Sequence, residues 1–224
     1  MFTEWIDTPV VASKNQFLSL YVIGKGGFGR VWKVQDKKSD HQYAMKEMSK
    51  QRILAKKSVN SVLNERNLLS KLHHDFIVNM KYAFQDRENL YLIMDLLSGG
   101  DLRYHIWKHR KFTEQQTKFF AANIILALEY LHNNSIIHRD IKPENLVFDD
   151  KGYLRVTDFG IARIWNPENK KDTSGTPGYM GKLSIHLLFS SRSHVPTKSR
   201  SCSWLFCFGC HRLWMNFRIR KYTY

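Results

Sequence analysis

Charged and cation-binding side chains are concentrated in the segment H-R-D-I-K-P-E-N, residues 138–145. Apolar, strand-like residues flank this segment, which is not typical of a solvated surface loop. Eighteen residues after Asp140, a second carboxylate, Asp158, opens the tripeptide D-F-G. Aspartate, lysine and asparagine side chains at such spacing accept protons, neutralise anions or bind hard cations. The two segments are therefore the first candidates for a catalytic site.

A third candidate is the glycine-rich segment G-K-G-G-F-G-R-V, residues 24–31, whose glycines have the spacing G-x-G-x-x-G. Glycine allows positive φ and close approach of the backbone, so that amide N–H groups can point at phosphate oxygens. Alternating residues over 17–35 predict two strands joined by this turn. A dinucleotide-binding fingerprint would require a helix after the glycines. The remaining interpretations are a phosphate-binding loop and a glycine-rich hairpin without a ligand.

A lysine and a glutamate are predicted to form a pair next to this loop. Lys46 lies on a short predicted strand, residues 42–48, and Glu65 lies on a predicted helix, residues 58–72. The helical period places Glu65 on the apolar face, where a buried carboxylate requires a partner. Lys46 is the candidate partner, and the alternative is that Lys46 is a solvated residue at the edge of a sheet.

A long helix is predicted to lead the chain into the 138–145 segment. Thr113 and Gln116 form a capping box at its start. The apolar stripe of this helix consists of Phe120, Ile124, Ala127, Leu128 and Leu131. Such a stripe predicts that the helix packs on the core just before the charged segment begins.

In this order, G-K-G-G-F-G-R-V, A-M-K, H-R-D-I-K-P-E-N and D-F-G resemble the signature segments of eukaryotic protein kinases. The segments D-L-L-S-G-G-D-L-R-Y-H and S-G-T-P-G-Y-M are similar to those of AGC-type serine/threonine kinases, in particular the YANK subgroup (serine/threonine kinase 32). The resemblance covers roughly residues 15–180. It implies an α+β fold of two lobes, with a small β-rich N-lobe and an incomplete, mainly α C-lobe.

The resemblance also implies ATP and Mg²⁺ as cofactors and gives the candidate residues their roles. Asp140 would orient the substrate hydroxyl and accept its proton, and Lys142 would steady the γ-phosphate. Asn145 and Asp158 would bind Mg²⁺, while Lys46, paired with Glu65, would hold the α- and β-phosphates. The rest of the nucleotide-binding set is Ile23, Gly24, Lys25, Gly26, Gly27, Phe28, Gly29, Val31, Asp95 and Leu97.

Protein substrates follow from the same resemblance. Asp101 and Glu144 match positions that contact basic residues before the phosphoacceptor, so substrates with upstream arginine or lysine are expected. In the activation loop, the position of the usual phosphothreonine is held by Asp172, with Thr173 beside it. Either Asp172 pairs with Arg139 without phosphorylation, or Thr173 is the phosphosite.

Composition divides the chain near residue 180. All 20 acidic residues lie before residue 181, and all three cysteines lie after it in a basic tail. The expected organisation is an N-terminal extension (1–14), an N-lobe (15–95), a partial C-lobe (96–180) and a poorly ordered tail (181–224). The family continues after this point with A-P-E and a buried helix, which the chain lacks after Met180. A truncation or frame change after Met180 is therefore expected, with impaired activity of this chain.

The function predicted by these features is transfer of the ATP γ-phosphate to protein serine or threonine. Two alternatives remain: an inactive nucleotide-binding interaction module, and a membrane- or nucleic-acid-binding protein that uses the basic tail. The net charge of +15 fits a basic surface as well as an anionic partner. An acidic N-terminus and the lack of a long apolar run predict no signal peptide and no transmembrane segment. The expected location is intracellular and cytoplasmic, nucleic acid is not an expected partner, and the sequence leaves the oligomeric state open.

Overall fold

The computed structural model describes residues 12–166 and Thr176. Most of the expected N-terminal extension, Asp172, Thr173 and the tail from residue 181 lie outside these residues. Predictions made for those parts of the chain stay predictions.

A five-stranded antiparallel sheet forms the first lobe, with the strand order β1-β2-β3-β5-β4. The strands are β1 (Phe17–Lys25), β2 (Gly29–Asp36), β3 (Gln42–Ser49), β4 (Met80–Gln85) and β5 (Asn89–Asp95). The first two were predicted from the alternation of residues over 17–35, and β3 was predicted as a short strand over 42–48. On β3, Met48 packs in the core shared with the helices, whereas Met45 packs in a second core on the opposite face of the sheet. Because side chains alternate along a strand, Lys46 faces the same side as Met48.

Two helices, α1 (Lys50–Ala55) and α2 (Val59–Leu69), connect β3 to β4. The predicted helix over 58–72 is therefore shorter than expected at its C-terminal end. The amide of Lys71 bonds to the carbonyl of Leu68, only three residues back, at 3.0 Å. This tighter bond ends the α-helical pattern, as is common in a last helical turn. Leu72 is nevertheless buried in the core, as the apolar pattern required.

The second lobe begins with α3 (Leu102–His109) and α4 (Glu114–Asn133). The predicted capping box at Thr113 and Gln116 is present in both directions. Of the predicted apolar stripe, Ile124, Ala127 and Leu131 are buried, and Phe120 and Leu128 pack against the same core. Within the described residues, no helix is both long and apolar enough to cross a membrane.

Two small β-ribbons hold the two candidate catalytic segments. The ribbons pair β6 (Ile136–Ile137) with β9 (Arg163–Ile164), and β7 (Leu146–Phe148) with β8 (Leu154–Val156). The segment 138–145 lies between β6 and β7, and D-F-G lies between β8 and β9. A β-rich lobe followed by a mainly α lobe confirms the predicted two-lobe α+β fold.

The glycine-rich turn depends on close packing rather than on positive φ. Among the described glycines, only Gly100 and Gly152 have positive φ, so the glycines of this turn do not use the left-handed conformation that glycine allows. A Cβ atom on Gly29 would lie 1.9 Å from the carbonyl oxygen of Glu47 on β3. Glycine is required there because β2 and β3 approach each other too closely for any side chain.

We expect Gly29→Ala to lower the free energy of unfolding by about 1–3 kcal/mol, because the new methyl group forces β2 away from β3. Urea unfolding followed by circular dichroism measures this change. Gly26→Ala is the matched control, since a Cβ atom there meets nothing within 4 Å. Equal stability of the two variants would contradict the steric explanation.

Candidate active site

Lys46 and Glu65 form the ion pair that the helical phase predicted. The Nζ atom of Lys46 lies 2.6 Å from Oε1 of Glu65, and Glu65 is only 4% exposed. Burial alone would lower the pKa of Lys46, but the charges of Glu65 and Asp158 outweigh burial and raise this pKa above its ordinary value. The ammonium therefore stays charged at neutral pH. The alternative of a solvated edge lysine is wrong.

Asp140 is the centre of a hydrogen-bonded cluster in the second lobe. Its Oδ2 atom lies 2.7 Å from Nζ of Lys142 and accepts a hydrogen bond from Nδ2 of Asn145 at 2.9 Å. Its Oδ1 atom accepts the hydroxyl of Thr176 at 2.5 Å, and that hydroxyl in turn accepts from Lys142 at 2.9 Å. Burial raises the pKa of Asp140, but the bonds from Lys142 and Thr176 lower it to below its ordinary value. Asp140 is therefore an ionised, oriented carboxylate at neutral pH.

The imidazole of His138 connects the two candidate catalytic segments by hydrogen bonds. Its Nε2 atom donates to the carbonyl of Thr157 at 3.0 Å, which leaves Nδ1 to accept the amide of Asp140 at 3.3 Å. The imidazole packs edge-on against Phe159, with ring centroids 5.0 Å apart. Burial lowers the pKa of His138 and keeps the ring neutral. A neutral ring is also what the two hydrogen bonds require, because a protonated Nδ1 could not accept one.

Two residues of the site have strained backbones. Arg139 has φ 69° and Asp158 has φ 62°, a region that side chains other than glycine rarely occupy. Each of these backbone conformations costs of order 1–3 kcal/mol, and it persists only where surrounding contacts hold the residue in place. Arg139 is held by a bond from its Nε to the carbonyl of Ile161 at 2.6 Å. Asp158 precedes Phe159, which is fully buried in the core.

Asn145 and Asp158 lie on segments that are bonded to each other through Thr157. The amide and the hydroxyl of Thr157 both donate to the carbonyl of Asn145, at 2.9 and 3.1 Å. The Nδ2 atom of Asn145 is turned toward Asp140, which leaves its amide oxygen for another partner, and the carboxylate of Asp158 is exposed. An amide oxygen and a carboxylate are hard ligands, and Mg²⁺ typically binds one or two protein groups together with waters and phosphates. The residues therefore fit Mg²⁺.

The predicted nucleotide-binding residues fall in three places. The glycine-rich turn, with Lys25, Gly27 and Phe28, lies at the β1–β2 connection, and Val31 is directly opposite Lys46 in the register of β2 and β3. Ile23 is exposed on β1. Asp95 and Leu97 lie at the end of β5 and in the segment that leads to the second lobe.

The side chain of Asp95 has a structural role that the sequence did not indicate. Its Oδ2 atom accepts bonds from Nδ2 of Asn79 at 3.0 Å and from Arg155 at 3.2 Å. The bond from Arg155 fastens the end of β5 to β8, and the bond from Asn79 fastens it to the residue before β4. The carboxylate of Asp95 is therefore used within the fold, and the role of Asp95 in nucleotide binding stays a prediction.

Sequence reasoning missed two functional candidates. Thr176 was used only as part of a family segment, and no local pattern indicates its contact with Asp140, which lies 36 residues earlier in the chain. Lys56, in the turn between α1 and α2, donates to the carbonyl of Gly27 at 3.0 Å and lies over the ring of Phe28. Lys56 therefore fixes the glycine-rich turn, and no local pattern in the sequence indicates this contact.

The chain matches the protein kinase domain family over residues 17–195. This range runs past Met180, which is where the resemblance was expected to end. The chain is 46% identical to serine/threonine-protein kinase sgk-1 of Caenorhabditis elegans, a match that covers 75% of the chain and 37% of the relative.

Other relatives give the same result. Serine/threonine-protein kinase 32B of Homo sapiens is 43% identical over 74% of the chain and 40% of its own length. A RAC family serine/threonine-protein kinase homolog of Dictyostelium discoideum is 44% identical over 73% of the chain and 38% of its own length. The chain thus spans about two fifths of the length of the curated relatives it matches. The chain belongs to the protein kinase family, as the family match and the two-lobe fold show, and its curated relatives are serine/threonine kinases.

Proposed function

We propose that the protein transfers the γ-phosphate of ATP to a serine or threonine hydroxyl of a protein substrate. The observation that carries this proposal concerns the carboxylate of Asp140. This carboxylate contacts both the ammonium of Lys142 and the hydroxyl of Thr176. The hydroxyl of Thr176, 2.5 Å from Oδ1, supports the proposal that this oxygen accepts the proton of a substrate hydroxyl. Membrane or nucleic-acid binding by the tail has no comparable support.

In the proposed reaction, the substrate oxygen forms a bond to the γ-phosphorus while the bond from this phosphorus to the bridging oxygen of ADP breaks. The proton of the substrate hydroxyl passes to Asp140. Lys142 neutralises charge that develops on the transferred phosphoryl group, because its ammonium already lies beside Oδ2 of Asp140. Most of the catalytic effect would come from positioning and from charge neutralisation.

In the first lobe, Lys46 would hold the α- and β-phosphates. Its pairing with Glu65 keeps the ammonium charged and in one orientation, with a distance of 2.6 Å between the charged atoms. Lys56 supports the glycine-rich turn above the phosphates through its bond to Gly27. Asn145 and Asp158 would bind Mg²⁺, which would supply positive charge to neutralise the phosphates.

Arg139 is proposed to bind an anionic side chain of the activation loop. A cleft of about 450 Å³ beside this residue is lined by Asn60, Ser61 and Asn64 of α2 and by a second cation, Arg163. Two guanidinium groups in one cleft favour an anionic group. Asp172, or Thr173 after phosphorylation, is proposed to provide it.

Substrates are proposed to be proteins with basic residues before the phosphoacceptor. The acids proposed to contact them are Glu144, directly before Asn145, and Asp101, which also caps α3 by accepting the amide of Tyr104 at 2.7 Å. A cytoplasmic location is proposed on the ground of kinase family membership.

The proposed function is tested first by nucleotide binding. Saturating Mg²⁺ and ATP, at about 100 times the Kd, should raise the free energy of unfolding by about 2.7 kcal/mol. Asp158→Asn should remove most of this stabilisation when Mg²⁺ is present, because the variant loses the charged metal ligand. Thermal unfolding with ATP alone and with Mg²⁺ and ATP measures both effects.

The control is Asp150→Asn, which removes another exposed carboxylate, from the β7–β8 turn. Its stabilisation by Mg²⁺ and ATP should equal that of the unmodified protein. If Mg²⁺ and ATP do not shift the unfolding transition of the unmodified protein, the proposed function is wrong. If Asp158→Asn retains the full shift, Asp158 is not a metal ligand.

A further inference from the structure

Glu144 is already paired within the chain. Arg103, on the first turn of α3, donates from Nη1 to Oε1 of Glu144. The side chain of Arg103 is 65% exposed, and that of Glu144 is 29% exposed. The other carboxylate oxygen of Glu144, Oε2, is buried and has no hydrogen-bond partner within the described part of the chain. One oxygen is thus occupied by an arginine, and the other is covered.

The position of Glu144 makes this pair relevant to substrate binding. Glu144 lies in a short 3₁₀ turn, Pro143–Asn145, within the catalytic segment. The turn is closed by the amide of Asn145, which bonds to the carbonyl of Lys142 at 2.9 Å, and Asn145 also bonds to Asp140. A cationic side chain on a substrate bound at Asp140 would therefore find Glu144 close along the same segment, with Arg103 already bound to it.

We propose that Arg103 is a specificity-determining residue, which competes with basic substrate side chains for the carboxylate of Glu144. The inference rests on the proposed protein kinase function. Arg103 offers the same guanidinium group that a substrate arginine would offer, so the two compete for one acceptor. The expected consequence is a weaker preference for basic substrates than the acid at position 144 would otherwise give.

The exposure of the pair sets the size of this effect. Exposed ion pairs are weak because water screens them and because two long side chains must be held still. Arg103 can therefore be displaced, and its competition should change the preference by about 2- to 5-fold rather than abolish it. Arg103 adjusts the selectivity of the site instead of closing it.

A purely structural role for the pair would look different. If Arg103 only fastened α3 to the catalytic segment, its removal would disturb Asp140 and affect all substrates alike. Competition for Glu144 instead predicts a change that depends on whether the substrate carries a basic residue. Two serine peptides, identical except for arginine or alanine two and three residues before the serine, separate the two roles.

We expect Arg103→Ala to raise the ratio of kcat/KM for the arginine peptide to that for the alanine peptide by about 2- to 5-fold, through KM rather than kcat. Arg103→Lys should give a smaller rise, because lysine keeps the charge without the planar fork. In a Glu144→Gln background, Arg103→Ala should leave the ratio unchanged. Lys108→Ala, which removes one positive charge from the same helix, is the matched control and should also leave it unchanged.

An unchanged or lower ratio in Arg103→Ala would overturn the proposal, and so would the same rise in Lys108→Ala. Fluorescence anisotropy of both labelled peptides, with Mg²⁺ and a non-hydrolysable ATP analogue, gives the same comparison without catalysis. If neither peptide is phosphorylated by the unmodified protein, the proposed kinase function fails. The ratio of the two binding constants still decides whether Arg103 competes for Glu144, and equal ratios in all variants would overturn that competition.

Discussion

Asp140→Asn is expected to lower the rate of phosphate transfer to a serine peptide by about 10²- to 10⁴-fold and to leave the Kd for ATP with Mg²⁺ nearly unchanged. The amide that replaces the carboxylate is close in shape but accepts a hydroxyl proton poorly. The pKa of Asp140 lies below its ordinary value, so the carboxylate that the variant loses is the form present at neutral pH. Transfer of labelled phosphate and isothermal titration with ATP measure the two quantities.

The control for this prediction is Asp75→Asn, which changes an exposed carboxylate outside the described site. Its rate and affinity should equal those of the unmodified protein. Unchanged turnover in Asp140→Asn would remove Asp140 from the mechanism. A large loss of ATP affinity in the same variant would show that Asp140 contributes to nucleotide binding rather than to the chemical step.

Local patterns predicted the parts of the fold and site that depend on a single segment. The capping box at Thr113 located the start of α4, and the helical phase of α2 placed Glu65 on a buried face. Once Glu65 was known to be buried, a cationic partner on the neighbouring strand followed from the cost of burying a lone charge. Lys46 was the lysine in reach, and the pair is present.

The missed strand β5 shows where local patterns fail. Five consecutive residues of this strand, 90–94, are buried, so the sequence has no alternation to detect. Leu90 and Leu92 pack in the core shared with the helices, whereas Tyr91 and Ile93 pack in the core on the other face of the sheet. A strand between two cores is apolar on both faces, and periodicity alone does not distinguish it from a buried helix.

The missed contacts of the site have another cause, which is their separation along the chain. Asp95 and Arg155 are 60 residues apart, and Arg103 and Glu144 are 41 residues apart. Each contact joins two charged residues of the kind expected at the surface, and no pattern within either segment requires the contact. Only the folded arrangement of β5 against β8, and of α3 against the catalytic segment, brings them together.

Lys46→Met is expected to lower the free energy of unfolding by about 3–5 kcal/mol at neutral pH, because it leaves the buried carboxylate of Glu65 without a partner. It should also weaken binding of ATP with Mg²⁺. The folded-state pKa of Lys46 is raised, so the stabilising contribution of its charge is fully present below pH about 10.5 and is lost as the pH rises through the folded pKa. Urea unfolding at neutral pH therefore measures the full effect of the pair.

The double variant Lys46→Met, Glu65→Leu separates stability from ligand binding. Replacing both charges with apolar side chains removes the lone buried carboxylate, so most of the lost stability should return. Binding of ATP should not return, because the ammonium is still absent.

The matched control is Lys14→Met, which breaks the pair between Lys14 and Glu47 on the opposite face of β3, where the lysine side chain is 48% exposed. That change should cost only about 0–1 kcal/mol. If the double variant binds ATP as tightly as the unmodified protein, Lys46 does not hold the phosphates, and its pairing with Glu65 serves the fold alone.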